Sequence, residues 1–511
     1  MGERLKKSLL NTKINIIFYF FSLIIAFFSR KIFLEGLGND FVGLTGTLLN
    51  LLGFLNLAEL GVGASIGFVL YKPIFQKDTD KITEIISVFG YLYRNIGLII
   101  LVAGVILSFF IPFIFAKTQI EIWEVYFAYY SYLATTLIGY FINYRQTLLG
   151  ADQKNYVVTA YFQTMTIIKT LIQMAIAYYT GNYVLWISIE LIFGISYSFV
   201  LNWKINQTYP WLKSTIRLGK LKYSDNKIII EKAKQMFIHI IANVARYQLL
   251  PFLVYAFTTL KLVAFYGNYM LIISKINLLI NNFFDGTKAG VGNLIAEGNK
   301  YNIQKVYWEL NTVRFIISAF LTFSLYHLID PFIQVWLGQE YILGNAIVII
   351  LIINFFLSNI CGASDQFIYG YGLFQDTWAP IVALILTISV ALLGGWLWGL
   401  PGIFLGDTVS SVFIIHIWKP YFLYSQGFHL SVWDYWKRMS KYLFTFALSW
   451  LISDLLIAIL NLDSMASKGY LDWTIYALLS TLIFMSLYTP LMLIFIPSTK
   501  IIFKRFIKIK E

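Results

Sequence analysis

Four polar side chains recur on one side of a predicted helix near the middle of the chain. Gln235, His239, Asn243 and Arg246 are spaced by four, four and three residues, which places them in one stripe along a helix. A guanidinium holds two phosphate oxygens at once through its planar fork, so the stripe favours binding of an anion. Hydrogen bonding between neighbouring helices is the alternative for the amides. His239 fits a hydrogen-bonded structural histidine better than a proton site.

A second polar stripe follows over residues 262–284. At about 100° per residue, its seven members fall within half of a helix circumference. They are Asn268, Ser274, Lys275, Asn277, Asn281, Asn282 and Asp285. The two stripes together predict a hydrophilic, positively charged cavity, although contacts between helices remain an equal alternative for asparagine and serine.

Further charged residues lie in other apolar segments. Arg30 adds a cation to the first of them, and the sequence places it near the end of that segment. Glu59 and Asp285 are candidates for binding a coupling proton or sodium ion. Further acidic residues in or at the edges of apolar segments are Glu190, Asp365 and Asp407. A local salt partner is the alternative for each, and the sequence does not choose among them.

The overall composition explains why these charges matter. Hydrophobic residues make up 59% of the 511 residues and charged residues 13%, about half the share of a soluble protein. A soluble enzyme and a disordered chain are therefore excluded. The apolar stretches have helix length, which excludes an outer-membrane barrel. The predicted fold class is all-α, a polytopic membrane protein.

Apolar windows of helix length predict about 14 transmembrane helices. They cover 14–34, 42–70, 87–115, 123–148, 156–179, 183–203, 235–257, 262–284, 313–330, 342–361, 378–399, 401–423, 440–461 and 472–496. With both termini on the cytoplasmic side, thirty of the 39 lysines and arginines lie in cytoplasmic segments and five in the opposite loops. This asymmetry follows the positive-inside rule. It also explains the net charge of +13 without nucleic acid.

A weak internal repeat divides the chain. IAFFSR at 25–30, FVGLTG at 41–46 and GVGASI at 61–66 return in the same order as IANVAR, LVAFYG and GVGNLI at 241–246, 262–267 and 290–295. The repeat unit is six helices, so both copies insert in the same orientation, as in transporters that alternate between two openings. The predicted division is an N-terminal lobe (1–203), a basic cytoplasmic linker (204–234), a C-terminal lobe (235–423) and two additional helices with a basic tail (424–511).

Catalytic and metal-binding patterns are missing from the sequence. The single Cys361 excludes a cysteine-based metal site, and the four histidines have no ligand spacing. No phosphate-binding loop, nucleophile elbow or carboxylate cluster occurs. We therefore expect neither an enzyme nor a resident metal or cofactor.

Several stretches resemble a known family. RKIFLEGLGNDFVGLTGTLLNLLGFLNLAELGVGASIGFVLYKP (30–73), LLGADQKNYVV (148–158), AGVGNLIAEGNK (289–300) and GLFQDTWAP (372–380) are similar to the polysaccharide and O-antigen flippases (Wzx-type) of the multidrug/oligosaccharidyl-lipid/polysaccharide (MOP) exporter superfamily. The resemblance implies two six-helix lobes in a V shape plus two helices. It implies translocation of an undecaprenyl-diphosphate-linked oligosaccharide, for O-antigen, lipopolysaccharide or capsule, across the bacterial cytoplasmic (inner) membrane. Arg30 and Arg246 match the cationic central cavity of that family, and Lys275 is added from the second stripe.

The resemblance also carries expectations about partners and driving force. It implies contact with membrane lipids and, beside the lipid-linked substrate, a polysaccharide polymerase and chain-length machinery. Coupling would use protons, sodium ions or the membrane potential. Two other functions stay open: a cation-coupled small-molecule exporter of the MATE type, and a membrane polysaccharide polymerase. The basic stripes disfavour the first, and loops of about 30 residues or fewer disfavour the second.

Overall fold

The chain is helical throughout the part that the structure describes. A computed structural model describes residues 2–55, 69–70, 73–152, 154–223, 249–285, 287–373 and 375–508, and no strand occurs in these ranges. Its long helices are α1 (Gly2–Leu37), α2 (Asn39–Leu55), α3 (Thr79–Ser108), α4 (Ile122–Phe141), α5 (Asn155–Thr180), α6 (Tyr183–Thr208), α7 (Leu260–Asp285), α8 (Lys300–Trp336), α9 (Asn345–Ile360), α10 (Trp378–Trp398), α11 (Leu400–Ser410), α12 (Val432–Ile459) and α13 (Tyr470–Phe495). Shorter segments are Ile111–Ile114, Gln146–Ala151, Ile216–Lys222, Lys288–Glu297, Gly362–Tyr371, Lys419–Phe422 and Pro497–Lys508.

The predicted fold class is confirmed. Among the described residues, ten helices are long and apolar enough to cross a membrane, and the predicted spans coincide with helices. For example, the span predicted at 183–203 lies in α6 and the span predicted at 378–399 is α10, and both are among these ten helices. Two predicted spans lie partly outside the described residues: 42–70 is described as helix over 42–55 and 69–70, and 235–257 is described only from residue 249.

The turn between α5 and α6 shows how local sequence sets the helix ends. Gly181 ends α5 with φ +61°, a left-handed conformation that glycine adopts without strain. The next residue, Asn182, caps α6 because its side chain accepts a hydrogen bond from the Leu185 amide at 3.0 Å. Two residues thus reverse the chain, and α5 and α6 form a tight antiparallel hairpin.

The chain divides into two compact units, residues 1–264 and 265–511. In the first unit, α5 packs along α1 and α6, and α4 packs on α3 and α6. Part of the predicted basic linker also belongs here. The helix Ile216–Lys222 packs on α3, where the Thr215 amide donates to Ser87 Oγ at 3.1 Å. The four-segment division predicted from the sequence stays a prediction.

In the second unit, α12 and α13 share an aromatic core with α8. Tyr307, Phe315 and Phe323 of α8 are buried in one cluster with Tyr442 of α12 and Phe484 of α13. A hydrogen bond of 2.7 Å joins the hydroxyls of Thr312 and Tyr442 inside this core. Burial of this much aromatic surface makes the two C-terminal helices an integral part of the unit.

The close contact of α10 and α11 depends on two glycines. A Cβ on Gly394 would lie 2.5 Å from the Gly402 carbonyl oxygen, and one on Gly402 would lie 2.0 Å from that of Gly394. Small residues let membrane helices approach this closely. Beyond Ser410 the chain continues through π-helical turns at Ser411–Trp418 and Leu423–Phe428.

Candidate functional site

Arg30 lies seven residues, about two helical turns, before the end of α1. The side chain is partly buried, and Nη2 donates a hydrogen bond of 2.7 Å to the Ala264 carbonyl in the first turns of α7. A backbone carbonyl carries no formal charge, so this bond orients the guanidinium and leaves its positive charge in place. The predicted cation of the first span is therefore held in a defined position within the first unit.

Lys275 lies near the middle of α7, 15 residues after Leu260 and 10 before Asp285. It is partly buried. At 1.5 Å per residue it stands about 15 Å from the nearer helix end, inside a hydrocarbon layer about 30 Å thick. The helix thus brings an ammonium to membrane depth, where ionisable groups mark functional sites by default.

The rest of the α7 stripe divides between two environments. Asn282 is exposed, as are Ser274 and Asn281, whereas Asn268 is fully buried. Asn277 accepts a hydrogen bond of 2.8 Å from the Asn359 side chain of α9, which is the helix-to-helix contact considered as the alternative. The two asparagines predicted for one substrate site, Asn268 and Asn282, therefore have different surroundings.

The opposite half of α7 supplies its packing surface. Tyr269, Ile273, Ile280 and Phe284 are buried, and the Tyr269 hydroxyl donates to Asp330 Oδ1 of α8 at 2.6 Å. This side contains the aromatic and aliphatic residues that periodicity assigns to the apolar half. The apolar half is thus divided: these four residues are buried, whereas Leu279 and Phe283 are 46% and 64% exposed.

Other predicted site residues lie beyond the description. His239, Asn243, Arg246 and Glu59 fall outside the described residues. Asp285 is the last residue of α7, and its side chain is not described. The predicted substrate and ion-coupling sites therefore stay predictions for these five positions.

Two carboxylates that the sequence left open have lysine partners. Glu190 Oε1 lies 2.6 Å from Lys169 Nζ, between α6 and α5. Asp365 Oδ1 lies 2.5 Å from Lys419 Nζ in the second unit. For both carboxylates the salt-partner alternative is confirmed.

Sequence reasoning missed the partnership of Lys169 with Glu190, although a signal was present. Both residues flank one short turn: Lys169 precedes Thr180 by 11 residues, and Glu190 follows Tyr183 by seven. In an antiparallel hairpin, these separations put the two side chains within reach of each other. In the described part of the chain, no group of three histidine, cysteine or carboxylate side chains could hold a metal ion.

Comparison with known proteins yields structural likeness alone. The sequence matches no family model and no curated protein. Among solved structures, the lipid II flippase MurJ in an inward closed conformation is similar with a TM-score of 0.67 and 15% identity, over 94% of this chain and 98% of that chain. An inward-facing multidrug resistance MATE family transporter of the MOP superfamily has a TM-score of 0.60 and 13% identity, over 80% of this chain and 97% of that one.

A third likeness shows that this fold accommodates different site chemistry. A MOP superfamily transporter from Pyrococcus furiosus, described as having a binding pocket of reverse polarity that suggests a different function, has a TM-score of 0.50 and 13% identity over 81% of this chain. At identities of 13–15%, the similarity to these structures establishes the fold and does not identify a substrate. The chain is a multi-pass helical membrane protein with the fold of the MOP superfamily transporters.

Proposed function

We propose that this protein is a flippase that moves an undecaprenyl-diphosphate-linked oligosaccharide from the cytoplasmic to the outer leaflet of the bacterial cytoplasmic membrane by alternating access. The observation that carries the proposal is the presence of a cationic side chain in two helices that could cross a membrane, Arg30 in α1 and Lys275 in α7. A diphosphate is the anionic part of such a lipid, and guanidinium and ammonium groups are its natural partners.

The extent of the structural likeness supports a flippase architecture. The lipid II flippase covers 94% of the chain and the multidrug transporter 80%. The C-terminal helices α12 and α13 pack with α8 in one hydrophobic core. They are therefore an integral part of the second compact unit. In the proposal, the lipid tail stays in the bilayer while the polar head crosses.

Charge also separates this proposal from drug export. An exporter of cationic drugs needs a neutral or acidic site, whereas Arg30 and Lys275 would repel a cation. The described carboxylates Glu190 and Asp365 are matched by lysines of the chain itself. Neither is an uncompensated anion that would attract a cationic drug.

The direct test is translocation of an undecaprenyl-diphosphate oligosaccharide by the purified protein in liposomes. Arg30→Ala and Lys275→Ala should each lower the initial rate at least tenfold, because each removes a cation proposed to hold the diphosphate. Arg30→Lys should retain part of the rate, since it keeps the charge and loses the two-pronged geometry. Lys31→Ala is the matched control, because Lys31 pairs with Glu35 in an exposed contact at 3.9 Å.

A MATE-like exporter is the second candidate, favoured by the TM-score of 0.60 with a multidrug transporter. The same liposomes distinguish the two functions when loaded with a cationic dye. Dye efflux that needs an ion gradient, with no lipid translocation, would refute the flippase. Lipid translocation that Arg30→Ala and Lys275→Ala leave unchanged would retain the flippase and refute its cationic site.

A further inference from the structure

The first unit contains an ion pair at membrane depth that the proposed function does not use. Lys169 stands 11 residues, about 16 Å, from the end of α5, and Glu190 stands seven residues, about 10 Å, from the start of α6. Both lie inside spans predicted from the sequence, 156–179 and 183–203, and we therefore place them in the hydrocarbon layer. Their side chains are 19% and 18% exposed, so neither charge is fully hydrated.

Both oxygens of the Glu190 carboxylate are engaged. Lys169 Nζ donates to Oε1 at 2.6 Å, and Gln173 Nε2 donates to Oε2 at 3.2 Å. Gln173 is 2% exposed and also donates to the Trp186 carbonyl at 3.1 Å. Lys169 and Gln173 are four residues apart on one face of α5, so a single helix supplies both donors.

The pair lines a cavity of about 320 Å³ between α4, α5 and α6. Oxygen-bearing side chains of the same wall are Thr135, Asn143 and Ser198. Asn143 donates to Ser198 Oγ at 2.9 Å, which fixes that part of the wall. Carboxylate, hydroxyl and amide oxygens are the ligands that hard cations prefer, and Phe162, Met165 and Phe193 form an apolar part of the same wall.

We infer that the Glu190 cavity is a monovalent cation site whose cation is supplied by the chain itself, with the Lys169 ammonium standing where a sodium ion would otherwise bind. The reason is the cost of an isolated carboxylate at this depth, which is several kcal/mol without a compensating charge. The Lys169 ammonium is part of the chain, so it neutralises the Glu190 carboxylate at any sodium concentration. The first unit therefore does not draw on an external sodium ion at Glu190.

The inference goes beyond the proposed function and does not depend on it, because binding can be measured without any substrate. It predicts a gain of binding on removal of the lysine. In Lys169→Met the Glu190 carboxylate and the oxygens of the cavity wall remain, while the internal cation is gone. A sodium ion should then occupy the cavity and stabilise the folded protein in proportion to ln(1 + [Na⁺]/Kd).

The experiment compares full-length proteins in detergent at constant ionic strength, in sodium, potassium or choline chloride. Binding of radioactive sodium and the melting temperature are both recorded. We expect the wild type to bind no sodium at Glu190 and to melt at the same temperature in all three salts. Lys169→Met should bind about one sodium ion per chain, and its melting temperature should rise with sodium concentration until the site saturates.

Three variants control the result. Lys169→Arg keeps an internal cation and should bind no sodium, and Lys169→Met/Glu190→Gln removes both charges and should bind none. Lys154→Met is the matched control near the start of the same helix. Lys154 pairs with Asp152 at 2.7 Å, with side chains 25% and 20% exposed, outside the predicted span 156–179. Its removal leaves the Lys169 ammonium beside Glu190, so no sodium should bind at Glu190.

Two results overturn the inference. The first is wild-type sodium binding that Glu190→Gln abolishes, because the site would then already be open to an external ion. The second is a folded Lys169→Met protein that binds no sodium. If Lys169→Met does not fold, Lys169→Gln repeats the test with a polar side chain. Sodium binding by the wild type that Glu190→Gln abolishes would overturn the inference without either lysine variant.

Discussion

Each unit of the molecule contains a lysine–carboxylate pair, and the two pairs differ in side-chain exposure. We call the less exposed pair, Lys169–Glu190, the deep pair and the more exposed pair, Lys419–Asp365, the shallow pair. Lys169 and Glu190 lie far from the ends of α5 and α6, with side chains 19% and 18% exposed. Asp365 lies in the first turn of the short helix Gly362–Tyr371, and the Lys419 and Asp365 side chains are 29% and 39% exposed. The same chemical contact is therefore expected to have a different energetic role in each unit.

Access to water determines how much free energy an ion pair loses when one partner is removed. A buried ion pair that loses one member leaves a charge without water or counter-ion, which costs about 3–5 kcal/mol. When the pair has access to water, the loss of one partner costs about 0–1 kcal/mol, because solvent replaces that partner.

The largest expected effect concerns the deep pair. In sodium-free buffer, Lys169→Met should lower the free energy of unfolding by about 3 kcal/mol, because Glu190 is left as an uncompensated carboxylate. Chemical denaturation of the purified protein measures this loss. The double variant Lys169→Met/Glu190→Gln should recover most of it, because no charge remains. Equal stability of the single and double variants would remove the proposed difference between the two pairs.

The packing around the two pairs provides the second comparison. A Cβ on Gly194, in the wall beside Glu190, would lie 2.5 Å from Cγ2 of Thr135. Threonine is β-branched and stiff at χ1, so Gly194→Ala should cost about 1–3 kcal/mol. Thr135→Ser removes the clashing methyl group and should restore stability in the double variant, as measured by the shift of the denaturation midpoint.

The comparison change in the second unit is Gly370→Ala, on the helix Gly362–Tyr371 that also carries Asp365. A Cβ there would meet Cδ1 of Ile295 at 2.6 Å, the terminal methyl of a flexible side chain, which can rotate away. We expect a cost below about 1 kcal/mol. A larger cost than that of Gly194→Ala would contradict the view that the wall around the deep pair is the more rigid one.

The helices were predictable because each follows from a local pattern. An apolar window predicts a span such as α10. Capping preferences predict that a helix ends before Gly181 and that another begins after Asn182, which are the end of α5 and the start of α6. The π-helical turns at Ser411–Trp418 were not predicted, because they carry no local sequence signal.

The candidate site was predictable in part. Arg30 and Lys275 could be identified as intramembrane cations from residue type and hydropathy. The partner of Glu190 was missed because periodicity treats each helix separately, whereas a pair needs the relative rotation and depth of two helices. Asn268 and Asn282 share one predicted face, yet only the three-dimensional packing shows that the first is buried and the second exposed.

The smallest expected effect concerns the shallow pair. Asp365→Asn should lower the free energy of unfolding by about 1 kcal/mol or less, because Lys419 retains access to water. In the wild type, the contribution of the Lys419–Asp365 pair to stability should be smaller at high salt than at low salt, since ions screen exposed charges most strongly. The melting temperatures of wild type and Asp365→Asn, followed over a series of potassium chloride concentrations, should therefore converge. For Glu190→Gln the same series should show a gap that salt does not close, because the deep pair is shielded from ions. A salt-independent gap for Asp365→Asn would place both pairs in the same environment and show that depth does not separate them.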